Sequence, residues 1–167
     1  MPKINDVKIR KAKIKDVPEL VKLWSDFTNE HKRITVKNSA KPDYQEKKKN
    51  AKNIWEKWII KSIRSKKSLV MVAEHDGKFV GYVLSNIKKT PPVYKIDTFG
   101  YISDLYVKKE YRGKRISSKF KDESLKWFKK KGLKYSSIGV YSDNPHARFV
   151  YKKWGFFDCE VIMKKKL

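Results

Sequence analysis

The apolar positions change period several times along the chain, and each change predicts an element. Val7-Lys8-Ile9-Arg10-Lys11-Ala12 alternates apolar and polar residues, the pattern of a half-buried strand. Asp16, with Glu19 three residues on, has the pattern of a capping box opening a helix. Val17, Leu20, Val21, Trp24 and Phe27 then fall on one helical stripe and are expected in the core. Residues 31–50 are polar, basic and aperiodic around Pro42, which predicts a loop. A second helix follows, with Ala51, Ile54, Trp55, Trp58, Ile59 and Ile63 on its apolar face.

Ser68–Glu74 and Phe79–Ser85 read as two strands joined through His75-Asp76-Gly77-Lys78, a strong hairpin signal with His75 exposed in the turn. After the loop marked by Pro91-Pro92 come a strand over Tyr101–Val107, a helix over about Ile116–Lys130 and a strand over Ser136–Tyr141. Asn144 caps a short helix with Pro145 at its first position and Gly155 at its end. Phe157–Met163 reads as a last strand. The order β-α-α-β-β-β-α-β-α-β predicts an α/β fold, a mixed sheet flanked by helices, as a single domain over residues 1–167.

Charge alters this picture most. Forty-two Lys and Arg against eighteen Asp and Glu give a net charge of +24, a field that enriches polyanions at the surface. Nucleic acid, a phosphate-rich cofactor and an acidic protein all answer to it, and so does a plain lysine-rich solvated surface. There is no signal-like apolar run behind Met1-Pro2-Lys3 and no stretch of eighteen apolar residues, so the expectation is a cytoplasmic protein without a membrane span. The lone Cys159 is expected as a small residue of the last strand, and no residue spacing suggests a metal.

Between Val107 and Ser118 a strand gives way to a tight basic loop and then a helix. Free amides at a helix start bind phosphate readily; Gly113 lets the backbone turn sharply, and Arg112, Lys114 and Arg115 add charge. The stretch Tyr111-Arg112-Gly113-Lys114-Arg115-Ile116-Ser117 resembles the pyrophosphate-binding motif of the GNAT superfamily of N-acetyltransferases. About thirty residues later, Asn144-Pro145-His146-Ala147-Arg148-Phe149-Val150-Tyr151-Lys152-Lys153-Trp154-Gly155-Phe156 is similar to a second segment of that family. The resemblance implies a mostly antiparallel central sheet of six to seven strands with about four helices, and acetyl-CoA as co-substrate. It also implies site residues. Leu105, Tyr106 and Val107 would offer backbone groups to the pantetheine arm. The amides from Arg112 through Gly113, Lys114, Arg115, Ile116 and Ser117 to Ser118 would hold the pyrophosphate. Asn144 would touch the arm, and Tyr151 would protonate the departing thiolate.

Two positions depart from the family pattern. Arg115 stands where glycine is usual, so the cradle stays open only if its side chain points outward. Ser103 stands where relatives carry a glutamate that helps deprotonate the acceptor amine. Adjacent strand residues face opposite sides, so Asp104 takes over as base only if a bulge re-aims it; a water relay or an amine arriving neutral are the alternatives. The expected reaction is transfer of acetyl to an amine by direct attack in a ternary complex. The positive field disfavours a polyamine acceptor, leaving a protein N-terminus, a lysine or a small amine. A basic nucleic-acid-binding module and a non-catalytic CoA-binding regulator are the other classes, and a homodimer is compatible with either.

Overall fold

The computed structural model describes residues 6–38 and 45–167. Five strands, β1 (Lys8–Lys11), β2 (Ser68–His75), β3 (Lys78–Lys89), β4 (Thr98–Val107) and β5 (Ser136–Ile138), form one sheet in the order β1-β2-β3-β4-β5. Each of the first four runs antiparallel to its neighbour, and β5 joins β4 in parallel. Four helices flank them: α1 (Val17–Asn38), α2 (Ala51–Arg64), α3 (Ile116–Lys130) and α4 (Pro145–Lys153).

Alternation along the strands builds two cores. Val70, Val72, Tyr82, Leu84 and Tyr106 pack with Leu20, Leu23, Trp55 and Ile59 of α1 and α2. Leu69, Met71, Ala73, Val80, Val83, Ile102 and Val107 pack with Ile116, Phe120 and Phe128 of α3. Because β2 and β3 are covered on both faces, they read as near-continuous apolar runs. The β2–β3 hairpin turns through Asp76 and Gly77, both at positive φ (48° and 70°), the twist-matched turn an Asp-Gly pair favours.

Several expectations are corrected. Among the described residues the sheet has five strands rather than six to seven, and Phe157–Met163 forms none; Val161 and Met163 are 86% and 90% exposed. Asp158, bonded to Arg148 and Lys152, ties the start of this segment to α4, and β5, three residues long, offers little edge to pair with. Cys159 is therefore exposed outside any strand. Residues 31–38 continue α1 instead of forming a loop, since no Pro or Gly falls between Pro18 and Pro42 and extending a formed helix is cheap; residues 39–44 lie outside the described residues. Ile54 and Trp58 of α2 are exposed. Asp16 ends a 3₁₀ turn, where its carboxylate accepts from the Lys13 amide and the Arg10 guanidinium rather than forming a box with Glu19, which pairs with Lys22. His75 is mostly covered, its ring 5.5 Å from that of Tyr111.

Candidate active site

The pairing of β3 with β4 slips once. Leu84 faces Asp104 and Ser85 faces Ile102, so Ser103 is an extra residue on β4, a β-bulge. The bulge re-aims its neighbour. Asp104 turns to the α1/α2 side of the sheet, where its Oδ2 accepts a 2.9 Å hydrogen bond from the hydroxyl of fully buried Tyr82. Ser103 bonds on that side too, accepting from Asn86 Nδ2 at 2.8 Å and donating to the Leu84 carbonyl. Burial raises the Asp104 carboxyl to about 6, against the opposing pull of the Tyr82 hydrogen bond. A carboxylate with that value changes protonation near neutrality, as a general base must.

Aromatic rings lie along the same face. Phe27 of α1 sits 5.7 Å from Tyr106 and 4.3 Å from His31, and His31 meets Tyr141 edge-on at 5.5 Å. Burial holds His31 below its ordinary value, favouring a neutral ring. Tyr141 follows β5, so this contact links the end of the sheet to α1.

Past the bulge, β4 has a free side. It pairs with β5 only through Gly100, Tyr101 and Ile102, while on its other side Leu105, Tyr106 and Val107 pair with Val83, Tyr82 and Gly81. The strand edge facing β5 is therefore open from Ser103 onward, a backbone template for an extended ligand arm. It leads into the basic loop. Gly113 (φ 75°) and Arg115 (φ 58°) both take the left-handed conformation around Lys114, which turns successive amides into a shallow nest. Arg115 is the N-cap of α3 without a side-chain cap bond, and no acidic residue occupies the first turn. The amides of Ile116, Ser117 and Ser118 are thus left at the positive pole of a fifteen-residue helix. A Cβ built on Gly113 would meet nothing within 4 Å, so the space over the loop is open. These features suit a pyrophosphate.

The Arg112 side chain is engaged within the fold. Its guanidinium donates to Glu30 at 2.7 Å and to the Val107 carbonyl at 2.8 Å, bracing the loop against α1 and β4. Asn144 accepts from the Ala147 amide at 3.1 Å and caps α4. Tyr151, on the next turns of α4, stacks on Trp154 with ring centroids 5.5 Å apart, and burial pushes its phenol up to about 12. Trp154 lies under the Lys121 ammonium of α3, which joins α4 to the helix carrying the phosphate loop.

Sequence reasoning missed Tyr82 and Glu30. Tyr82 carried a signal, because a tyrosine inside an apolar strand needs a partner for its hydroxyl. Glu30 carried none: its partner lies 82 positions away. Among the described residues no group of three or more His, Cys, Asp or Glu could hold a metal, and no helix is long and apolar enough to cross a membrane.

A predicted acetyltransferase from Clostridium acetobutylicum, solved with acetyl-CoA, has the same fold at a TM-score of 0.76, with 20% identity over 96% of either chain. The model of the Acetyltransferase (GNAT) family matches residues 23–156. The chain belongs to that family. An uncharacterized N-acetyltransferase of Archaeoglobus fulgidus is 30% identical over 105 residues, 63% of this chain and 68% of the relative. One from Methanocaldococcus jannaschii is 27% identical over 120 residues, 71% of this chain; the match spans half the length of that relative.

Proposed function

We propose that the protein transfers an acetyl group from acetyl-CoA to an amine, with Asp104 as base and Tyr151 as acid. The observation that carries this reading is the bulge. It places the one carboxylate of β4 on the aromatic face of the strand whose open edge runs to the amide nest. Acetyl-CoA supplies the activated acetyl carbonyl. Ser103–Val107 would pair with its pantetheine arm, and Arg112–Ser118 would receive its pyrophosphate.

Asp104 would accept the proton from the incoming ammonium, directly or through one water, and keep the amine neutral as it attacks. Its carboxylate is held in line by the Tyr82 hydroxyl. As the carbon–sulfur bond breaks, Tyr151 would give its phenol proton to the sulfur. Its raised value keeps the phenol protonated across the physiological range; because that makes it a weaker acid than a thiol, the proton would move as the carbon–sulfur bond breaks rather than to a finished thiolate. The acceptor would approach the rings of Phe27 and Tyr141 beside His31, which favour a single ammonium over water; the Tyr106 ring already lies beneath the Arg112 guanidinium. A buried carboxylate among aromatic rings, in a chain of net charge +24, suits one primary amine, a protein N-terminus, a lysine or a small amine, better than a polycation.

Thiol release from acetyl-CoA, measured against a panel of amines, tests the reading. Turnover should rise with pH through about 6 as Asp104 ionises, and Asp104→Asn should remove that limb. No thiol release above background with any amine, despite CoA binding, would leave a regulator in place of an enzyme.

A further inference from the structure

At the end of the sheet remote from the phosphate loop, a cleft of about 230 Å³ is lined by Lys11, Lys66 and Lys131 together with Ser65, Ser68 and Trp127. Topology places it there. β2 runs parallel to β4, since each is antiparallel to β3, so Ser68 lies at the entry of β4 and not at its Val107 end. Exposed Lys67, Lys129 and Lys130 flank the lining lysines.

Counter-charge is scarce at this end. Of the described carboxylates there, Asp16 is buried against Arg10 and Glu19 is bonded to Lys22, which leaves Asp97 in the β3–β4 loop. The phosphate-loop end is different, with Glu30 bridging Arg112 and Glu110 beside Lys109. α2 and α3 also end at the cleft, and each helix C-terminus brings about half a negative charge. Together they offset roughly one of the three ammoniums, so the cleft stays cationic. Its volume falls below the ~300 Å³ at which pockets begin to enclose a whole small ligand, so it suits one phosphate of a longer polymer. Exposed rings stand at this end as well: Tyr94, 62% exposed in the β3–β4 loop, and Tyr135, 56% exposed just before β5. Rings beside a cationic track take the faces of unpaired bases, which a duplex keeps stacked inside.

We propose that this end of the molecule, centred on Lys11, Lys66 and Lys131 and edged by Tyr94 and Tyr135, binds single-stranded nucleic acid independently of the acetyl-transfer site.

Fluorescence anisotropy of the full chain with a labelled single strand of about 12 nucleotides tests this. A variant with Lys66→Gln, Lys129→Gln and Lys131→Gln should bind about 100-fold more weakly near 0.1 M salt, and its salt slope should shrink by about 2. A control with Lys8→Gln, Lys52→Gln and Lys78→Gln carries the same net charge, and its affinity should change by less than about fivefold. Equal losses in the two variants would overturn the proposal, because the charge would then act only as a general field. Tyr94→Ala with Tyr135→Ala should weaken the oligonucleotide about tenfold and leave binding to heparin, which has no bases, unchanged. An equal effect on both ligands, none on either, or tighter binding to anionic vesicles than to the strand would refute a nucleic-acid site. Saturating CoA should not displace the strand; displacement would move the site to the phosphate loop.

Discussion

Asp104 carries opposite demands at one residue. Its carboxyl is raised from 3.8 to about 6 by burial, so the folded state holds a proton that the unfolded chain has lost between about pH 4 and 6. Stability from this group therefore falls as pH rises through that window and stays low above it. Asp104→Asn keeps the shape and removes the buried charge. It should stabilise the protein at pH 7 by up to about 3 kcal/mol while slowing transfer, a stability gain at the cost of function. Melting curves at pH 4 and pH 7 check it: the gain should appear at pH 7 and shrink at pH 4. Tyr151 should show no such coupling. Tyr151→Phe removes one oxygen and should leave the melting temperature and CoA affinity unchanged while lowering kcat by about 10²- to 10⁴-fold, with a parallel fall in kcat/KM.

Among the elements, the β4-loop-α3 unit holds the most local strain. Arg115 sits at φ 58° where glycine would be at ease. Arg115→Gly should raise stability by up to about 1 kcal/mol, the left-handed cost less the extra freedom of glycine when unfolded. Gly113→Val acts the other way. Nothing crowds its Cβ, but φ 75° strains a branched residue and the side chain would fill the open space over the amides. At about a hundred times its dissociation constant, CoA should add about 2.7 kcal/mol to the wild type, and differential scanning fluorimetry should show that shift largely lost in the valine variant. The unit was legible in the sequence because its signals are local: a strand run, Gly113 and a helical stripe lie within about thirty residues, from Tyr101 to Lys130. The capping role of Asn144 was legible for the same reason. The bulge at Ser103 was not. It depends on how Leu84 and Ser85 pair with β4, a register that the pattern of β4 alone does not contain. The missing last strand failed similarly, since apolar alternation over Phe157–Met163 shows fitness for pairing and says nothing of a partner.

Over the whole molecule, charge is sorted by position. At the phosphate-loop end Glu30 pairs with Arg112, whereas among the described residues Lys66 and Lys131 stand in a cleft whose lining holds no carboxylate. Capture of a phosphate-bearing cofactor should therefore be less sensitive to salt than capture of a nucleic acid at the far end. Measuring both affinities from about 0.05 to 0.2 M salt should give the steeper slope for the strand.

The extra residue in β4 has a further consequence for how this chemistry can move along a chain. In an unbroken strand, odd and even positions belong to different faces, and a reactive group shifted by one place is lost to the opposite side. Here Ser103 and Asp104 bond on the same side, one to Asn86 and the other to Tyr82. The strand thus offers two adjacent seats for a single carboxylate. Exchanging their occupants, with Ser103→Glu and Asp104→Ser together, should recover much of the transfer rate that Asp104→Ser alone removes, and with it the dependence on a group ionising below neutrality. Failure of the double exchange to recover any rate would mean that only the seat beside Tyr82 reaches the amine.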